Sequence, residues 1–175
     1  MHNLPSSDRR RSVTLIGMAG VGKSTVGQLL AQRLGRQLID TDDQIRQATG
    51  QSLQALIQSL GLDSFLKKED AVISSLVISD AVIATGGSVI YGKAAMAHLK
   101  LNSWVVWLQQ DSAMLKQRIG DSPQQRGLAI RPGQSIEDVI AERAPLYALY
   151  ADEVIHCGSQ SPEEIVEAIS VKYAL

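Results

Sequence analysis

Nine consecutive residues carry the densest chemistry in this chain: Gly17-Met18-Ala19-Gly20-Val21-Gly22-Lys23-Ser24-Thr25. They fit G-x-x-x-x-G-K-[ST], the pattern of a phosphate-binding loop. Glycines lack the Cβ that would block close approach, so successive backbone N–H groups can form a nest around phosphate oxygens. A helix that starts at the end of the loop adds the positive end of its dipole. Lys23 is spaced to reach β- and γ-phosphates, and the Ser24 hydroxyl to ligate Mg²⁺. Gly20, Val21, Gly22, Lys23, Ser24 and Thr25 are therefore the expected nucleotide contacts, with ATP and Mg²⁺ as the expected cofactors.

Two further polar clusters follow short apolar runs. Gln37-Leu38-Ile39 leads into Asp40-Thr41-Asp42-Asp43, and Ala81-Val82-Ile83-Ala84 leads into Thr85-Gly86-Gly87-Ser88. Asp40 and Asp42, one residue apart at a strand end, can serve different masters. Asp40 is assigned to Mg²⁺, through water. Asp42 is assigned to the acceptor hydroxyl, as base or orienter. Thr41 or Asp42 is the expected cap of the helix that comes next. Gly86-Gly87 lets a ligand touch backbone. Positive charge for a moving phosphoryl group is offered by Arg118 and by Arg126 and Arg131, which lie in or beside a Gly-, Pro- and Gln-rich stretch. Arg143 stands beside Pro145 inside a helical pattern, where a proline kinks or restarts the helix.

The elements that must position these residues alternate. Ser12-Val13-Thr14-Leu15-Ile16 reads as a buried strand, and Val26, Leu29, Leu30 and Leu34 recur at helical spacing until Gly35. Helices are expected from Asp43 to Gly50, at 52–60, over Asp63 to Ile78 with Phe65, Val72 and Leu76 inward, over Lys93 to Leu99, and over Asp111 to Ile119 with Asp111 capping. Trp104 to Leu108 is a strand apolar on both faces, which suits the middle of a covered parallel sheet. Ser135 and Asp138 form a capping box for a helix reaching Tyr150. Val154 to Cys157 is the last strand, and Pro162 opens the last helix. This alternation predicts an α/β fold with a parallel sheet covered on both faces. In such sheets ligands sit beyond the C-terminal strand ends, so the three polar clusters should share one crevice.

With 175 residues, 45% of them hydrophobic and 20% charged, the chain can build one ordinary core. A net charge of −1 supplies no field for nucleic acid or an anionic membrane. A single cysteine, Cys157, excludes an internal disulfide and fits a reducing cytoplasm. No apolar run approaches the ~20 residues that span a bilayer, and residues 1–11 lack the apolar segment of a secretory signal. Residues 1–11 are expected to be a disordered arm and residues 12–175 a single domain. Within it, an acceptor-binding region is expected at about 41–79 and a mobile lid at about 120–134. A monomer is expected.

Taken together, Gly17 to Thr25, Asp40-Thr41-Asp42, Ala84-Thr85-Gly86-Gly87 and Glu142-Arg143-Ala144-Pro145-Leu146-Tyr147 resemble the shikimate kinase family in order and approximate spacing. The resemblance covers nearly the whole chain from Ser12. It implies a P-loop NTPase fold with a five-stranded parallel sheet in the order 2-3-1-4-5, and transfer of the γ-phosphate of ATP to the 3-hydroxyl of shikimate. It implies roles for Lys23 and Ser24 at phosphate and metal, for Asp42, Gly86 and Gly87 at the acceptor, and for Arg143 at its carboxylate. Arg118 and the loop from Ser159 to Pro162 match the region that contacts adenine. Arg126 fits the lid arginine by its distance from Arg143; Arg131-Pro132 fits it by local pattern.

Three departures from the family pattern bear on the acceptor. Phe65-Leu66 stands where the family usually has Phe-Arg, an arginine that pairs with the shikimate carboxylate. Lys67 is about 100° away on a helix and lacks the bidentate fork. Ser88 stands where a third glycine is usual, and Arg126-Gly127-Leu128 replaces the lid's R-P-L-L run. An alternative implied by these changes is a related kinase for another small hydroxylated or carboxylated metabolite. A nucleotide-binding module without catalysis is disfavoured by the intact Lys23, Ser24, Asp40 and Asp42.

Overall fold

A computed structural model of the chain describes residues 12–120 and 128–173. The strands are β1 (Ser12–Ile16), β2 (Gln37–Asp40), β3 (Ala81–Ala84), β4 (Ser103–Gln109) and β5 (Glu153–His156). They pair in parallel in the order β2-β3-β1-β4-β5, as the alternation and the resemblance lead one to expect. β1 and β3 are buried along their whole length, whereas β2 and β5 at the edges are partly exposed. That burial is why the central strands read as continuous apolar runs.

The helices are α1 (Lys23–Leu34), α2 (Thr41–Thr49), α3 (Leu53–Leu60), α4 (Leu62–Ser74), α5 (Lys93–Asn102), α6 (Ser112–Ile119), α7 (Ile136–Tyr150) and α8 (Pro162–Tyr173). Parallel crossovers are right-handed. The connection from β1 to β2 runs one way along the sheet and those from β3 to β4 and β4 to β5 the other, so their helices take opposite faces. In keeping with this, α1 packs on α8, while α4 packs on α5 and α7 lies against β4.

Several local expectations are corrected. Asp40, and neither Thr41 nor Asp42, caps α2: its Oδ1 accepts from Asp42 N at 2.9 Å and Asp43 N at 3.3 Å. Asp111 occupies the cap position of α6, but its side chain makes no capping bond. α4 ends at Ser74, where the Ser74 and Ser75 hydroxyls bond back to the Ala71 and Val72 carbonyls and compete with the helix. α7 neither breaks nor restarts at Pro145; it runs from the Ser135–Asp138 capping box to Tyr150 with the proline inside. β5 sits one residue earlier than expected, although Cys157 N still bonds the Gln109 carbonyl at 2.8 Å.

Among the described residues, two apolar cores result. The larger lies along the sheet. The smaller gathers Ile45, Leu53, Leu56, Phe65 and Ala129, with Leu66 packed against it. It roofs the strand ends on the β2–β3 side.

Candidate active site

The glycine loop joins β1 to α1 by conformations that need glycine. Gly17, Gly20 and Gly22 have φ of 142°, 79° and 109°. At Gly17 a Cβ would stand 2.5 Å from the Leu108 carbonyl oxygen of β4. Lys23, 7% exposed, donates to the Gly17 and Met18 carbonyls at 2.7 Å each. Burial lowers its pKa to about 8; Asp42 opposes the shift and Arg143 adds to it. Ser24 and Thr25 are exposed at the start of α1. Arg118 on α6 donates to the Gly20 and Val21 carbonyls at 3.3 and 3.4 Å. Its charge also acts on the buried Cys157 thiol, whose pKa is raised chiefly by burial. Arg118 thus ties α6 to the glycine loop.

The ends of β2 and β3 are tied by buried hydroxyls. Thr41 Oγ1 accepts from Gly86 N at 3.1 Å, and Thr85 Oγ1 donates to the Leu15 carbonyl at 2.9 Å. These bonds hold Gly86-Gly87 against both Asp42 and the glycine loop. A Cβ on Gly86 would lie 2.8 Å from Asp42 Oδ1, and one on Gly87 3.2 Å from Arg143 Nη1 and 3.3 Å from Ala19 N. Asp42 Oδ1 is buried without a hydrogen-bond partner among the described residues. Its pKa is raised by burial first and by Asp40 second, with Lys23 opposing. An unpaired buried acceptor of this kind is uncommon and marks a place where a ligand group or a water can pair it.

Arg143 is 1% exposed. It donates through Nη2 to the Ala129 carbonyl and through Nε to the Tyr91 hydroxyl at 3.3 Å, and its guanidinium lies 5.3 Å from the Tyr91 ring centroid. Tyr91 in turn donates to Glu142 at 2.5 Å. Tyr147, stacked on Trp107, donates to the Gly87 carbonyl at 2.6 Å. The sequence singled out Glu142 to Tyr147 as one element; each of Glu142, Arg143 and Tyr147 proves to brace the turn after β3 or the short segment from Ser88 to Tyr91.

Glu69 was missed. It is 2% exposed on α4 and its Oε1 has no hydrogen-bond partner among the described residues. A Cβ on Gly86 would lie 3.1 Å from that oxygen. Burial raises its pKa to about 7; the Ser88 hydroxyl bonds to it and opposes the shift, Asp42 adds to it and Arg143 lowers it. The available signal was spacing: Phe65, Glu69 and Ile73 recur every fourth residue and all three are buried. Lys67 is exposed and does not replace the arginine that Leu66 lacks.

Asp40 is committed through Oδ1 to the α2 cap, so its expected metal role rests on what its carboxylate retains beyond that. Arg131 pairs with Asp63 at 3.5 Å across to α4, both side chains exposed. Its charge therefore lies beside the start of α4. Arg126, residues 1–11 and residues 121–127 of the expected lid lie outside the described residues.

Two hollows open from this arrangement. The larger lies between Gly20–Thr25 and Thr85–Gly87. The smaller is lined by Asp42, Leu53, Ser88, Leu128, Ala129 and Arg143. They share Ala19, Asp42, Gly86 and Gly87 as a common wall. A large hollow lined by the glycine loop beside a small polar one, at the carboxyl ends of a 2-3-1-4-5 sheet, defines a P-loop kinase of small molecules.

Known proteins narrow the class. The shikimate kinase family model matches residues 19–173. Shikimate kinase 2 of Yersinia pestis (strain Pestoides F) is 30% identical, the alignment covering 91% of this chain and 93% of the relative. Among solved structures, shikimate kinase from Acinetobacter baumannii in complex with shikimate superposes with a TM-score of 0.83 at 27% identity, over 95% of each chain. The shikimate kinase of Aquifex aeolicus gives 0.75 at 27% identity, over 92% of this chain and 94% of that one. The chain belongs to the shikimate kinase family.

Proposed function

We propose that this protein transfers the γ-phosphoryl group of ATP to the 3-hydroxyl of shikimate. The observation that carries the reading is the shared wall: Asp42 and Gly86-Gly87 face both the phosphate hollow and the small hollow that contains Arg143. The backbone N–H groups from Gly20 to Thr25 cradle the phosphates, and Lys23 leaves the Gly17 and Met18 carbonyls to follow the γ-phosphate. Ser24 and Asp40 would hold Mg²⁺. The exposed Ser24 hydroxyl and the sparse carboxylates fit an ion that arrives with the nucleotide and keeps most of its water. Bound there, Mg²⁺ neutralises charge that develops on the phosphates. Asp42 accepts the hydrogen bond of the acceptor hydroxyl and orients it in line. Arg143, the one cation among the described residues that lines the small hollow, takes the carboxylate. The small polar hollow, lined by Asp42 of α2 and Leu53 of α3, supports an acceptor region at about 41–79; a lid at about 120–134 belongs to the same proposal.

The reading places the protein in the cytoplasm as a monomer. Among the described residues no helix is long and apolar enough to cross a membrane. A second reading, an acceptor other than shikimate, is favoured by Leu66 and Ser88. Coupled assays of ADP release with shikimate and a panel of small hydroxy acids decide between them. Efficient turnover of shikimate is expected; efficient turnover of another acid, with shikimate turned over only at millimolar KM, would overturn it.

A further inference from the structure

Gln110 directly follows β4, is 9% exposed, and has both halves of its amide engaged. Nε2 donates to the Gly158 carbonyl at 3.0 Å, and Oε1 accepts from Asp111 N at 3.0 Å. The first bond reaches the turn between β5 and α8. There Gly158 takes a φ of 48° and Gln160 N donates to the Cys157 carbonyl at 2.8 Å. The second bond holds the residue that opens α6, whose own side chain makes no capping bond. The far end of α6 rests on the glycine loop: a Cβ on Gly20 would lie 3.3 Å from Ile119 Cγ1 and 3.5 Å from Arg118 Cβ. α8, which follows the turn, packs on α1, whose start is the end of the same loop. The two elements that Gln110 joins thus flank the glycine loop on the β4–β5 side. On the proposed reading the acceptor lies opposite, because Asp42, Gly86 and Gly87 stand at the ends of β2 and β3. In-line transfer brings the γ-phosphate to that wall. The nucleoside therefore leaves the loop the other way, toward α6 and the exposed residues 158–160.

From this geometry we infer that Gln110 is a positioning residue of the nucleotide site: it fixes the Gly158 carbonyl to the start of α6 and so sets the gap that receives the nucleoside. The inference rests on the proposed nucleotide donor. Gln110 acts through Gly158 and Asp111, so no bond or proton at the reacting phosphate depends on it. The clamp needs a donor and an acceptor on one planar group. Glutamate in its place keeps the acceptor for Asp111 N and loses the donor to Gly158. Methionine keeps the length and loses both. Inorganic pyrophosphate occupies the glycine loop alone, whereas ADP adds the nucleoside, so the two ligands separate the clamp from the cradle.

The test is calorimetry of ADP and of inorganic pyrophosphate binding to the full chain in the presence of Mg²⁺, alongside steady-state kinetics. Gln110→Glu and Gln110→Met should each weaken ADP by roughly tenfold, about the loss of one hydrogen bond, with pyrophosphate affinity within about twofold of wild type. KM for ATP should rise to match, while kcat at saturating ATP and KM for shikimate hold. Unchanged ADP affinity in both variants overturns the inference. Equal losses for ADP and pyrophosphate also overturn it, because the damage would then lie in the glycine loop. Loss of cooperative thermal unfolding in both variants does the same, since Gln110 would then serve the fold alone. Where only Gln110→Met fails to fold, Gln110→Glu, which keeps the bond to Asp111 N, decides. A wild type that binds ADP no better than pyrophosphate holds no nucleoside, and the inference falls. A wild type that binds neither overturns the nucleotide donor itself, and the inference with it.

Discussion

Lys23 and Asp42 were legible as candidates because their chemistry is written in spacing, and both line the hollow beside the glycine loop. Glu69 was not. In Lys67-Lys68-Glu69-Asp70 it reads as one charge in a solvated run, and only the packing of α4 shows that position turned inward. Removing the Lys23 ammonium withdraws charge stabilisation from the moving phosphoryl, so Lys23→Ala should lower kcat at least a hundredfold. Asp42→Asn keeps the shape but not the acceptor strength, and kcat should fall by 10²–10⁴, about the range for general-base loss. Steady-state kinetics at saturating ATP and shikimate check both. An Asp42→Asn enzyme within a few-fold of wild type would remove the carboxylate from the reaction. Arg143→Lys keeps the charge but loses the fork, and shikimate KM should rise by about tenfold or more while KM for ATP holds.

At the scale of elements, existence was easier to read than ends. Strands β1, β2 and β3 were placed to the residue, since apolar β-branched runs stop abruptly at glycine or aspartate. The cap of α2 was missed because Asp40, Thr41 and Asp42 are all good caps; the choice fell to Asp40 once Thr41 was drawn to Gly86 and Asp42 to the crevice. Pro145 misled because its local penalty is outweighed by the bonds that Glu142, Arg143 and Tyr147 make on either side of it. Asp40→Ala should lower unfolding free energy by about 1 kcal/mol through loss of the cap. Because α2 carries Asp42, kcat should fall as well. Urea denaturation and kinetics on the same preparation separate the two effects: lost stability with unchanged kcat would confine Asp40 to capping.

For the whole molecule, the topology came from alternation and handedness, and the shared crevice from topology. The small hollow proposed for the acceptor did not, because it is lined from α2, α3, α7, the turn after β3 and the segment at Leu128-Ala129, which no single window of sequence joins. Glu69 ties that pocket to global stability. Its folded pKa of about 7 lies above the ordinary value of 4.5. Such a group contributes stability that is fully present below the unfolded pKa and is lost as pH rises through the folded one. The ligand-free protein should therefore become less stable by on the order of 3 kcal/mol from about pH 4.5 to about pH 7 on this account. Glu69→Gln should unfold at a higher temperature than wild type near pH 8, the gap closing toward about pH 4.5. Thermal scans at both pH values check this, and an equal gap at both would mean that the proton is not the cause.

The partition between the two hollows is, at Gly86, main chain without a side chain. No rotamer can widen or narrow it, and on the proposed reading the separation between phosphoryl donor and acceptor alcohol is set by the turn after β3. Gly86→Ala would drive a methyl into Asp42 and should abolish transfer while sparing nucleotide binding. The scaffold can thus be retooled for a new alcohol only from the far side of that partition, at positions such as Leu66, Glu69, Ser88 and Leu128. Those are the neighbourhoods in which this chain has already diverged, and the machinery on the near side has been free to stay as it was.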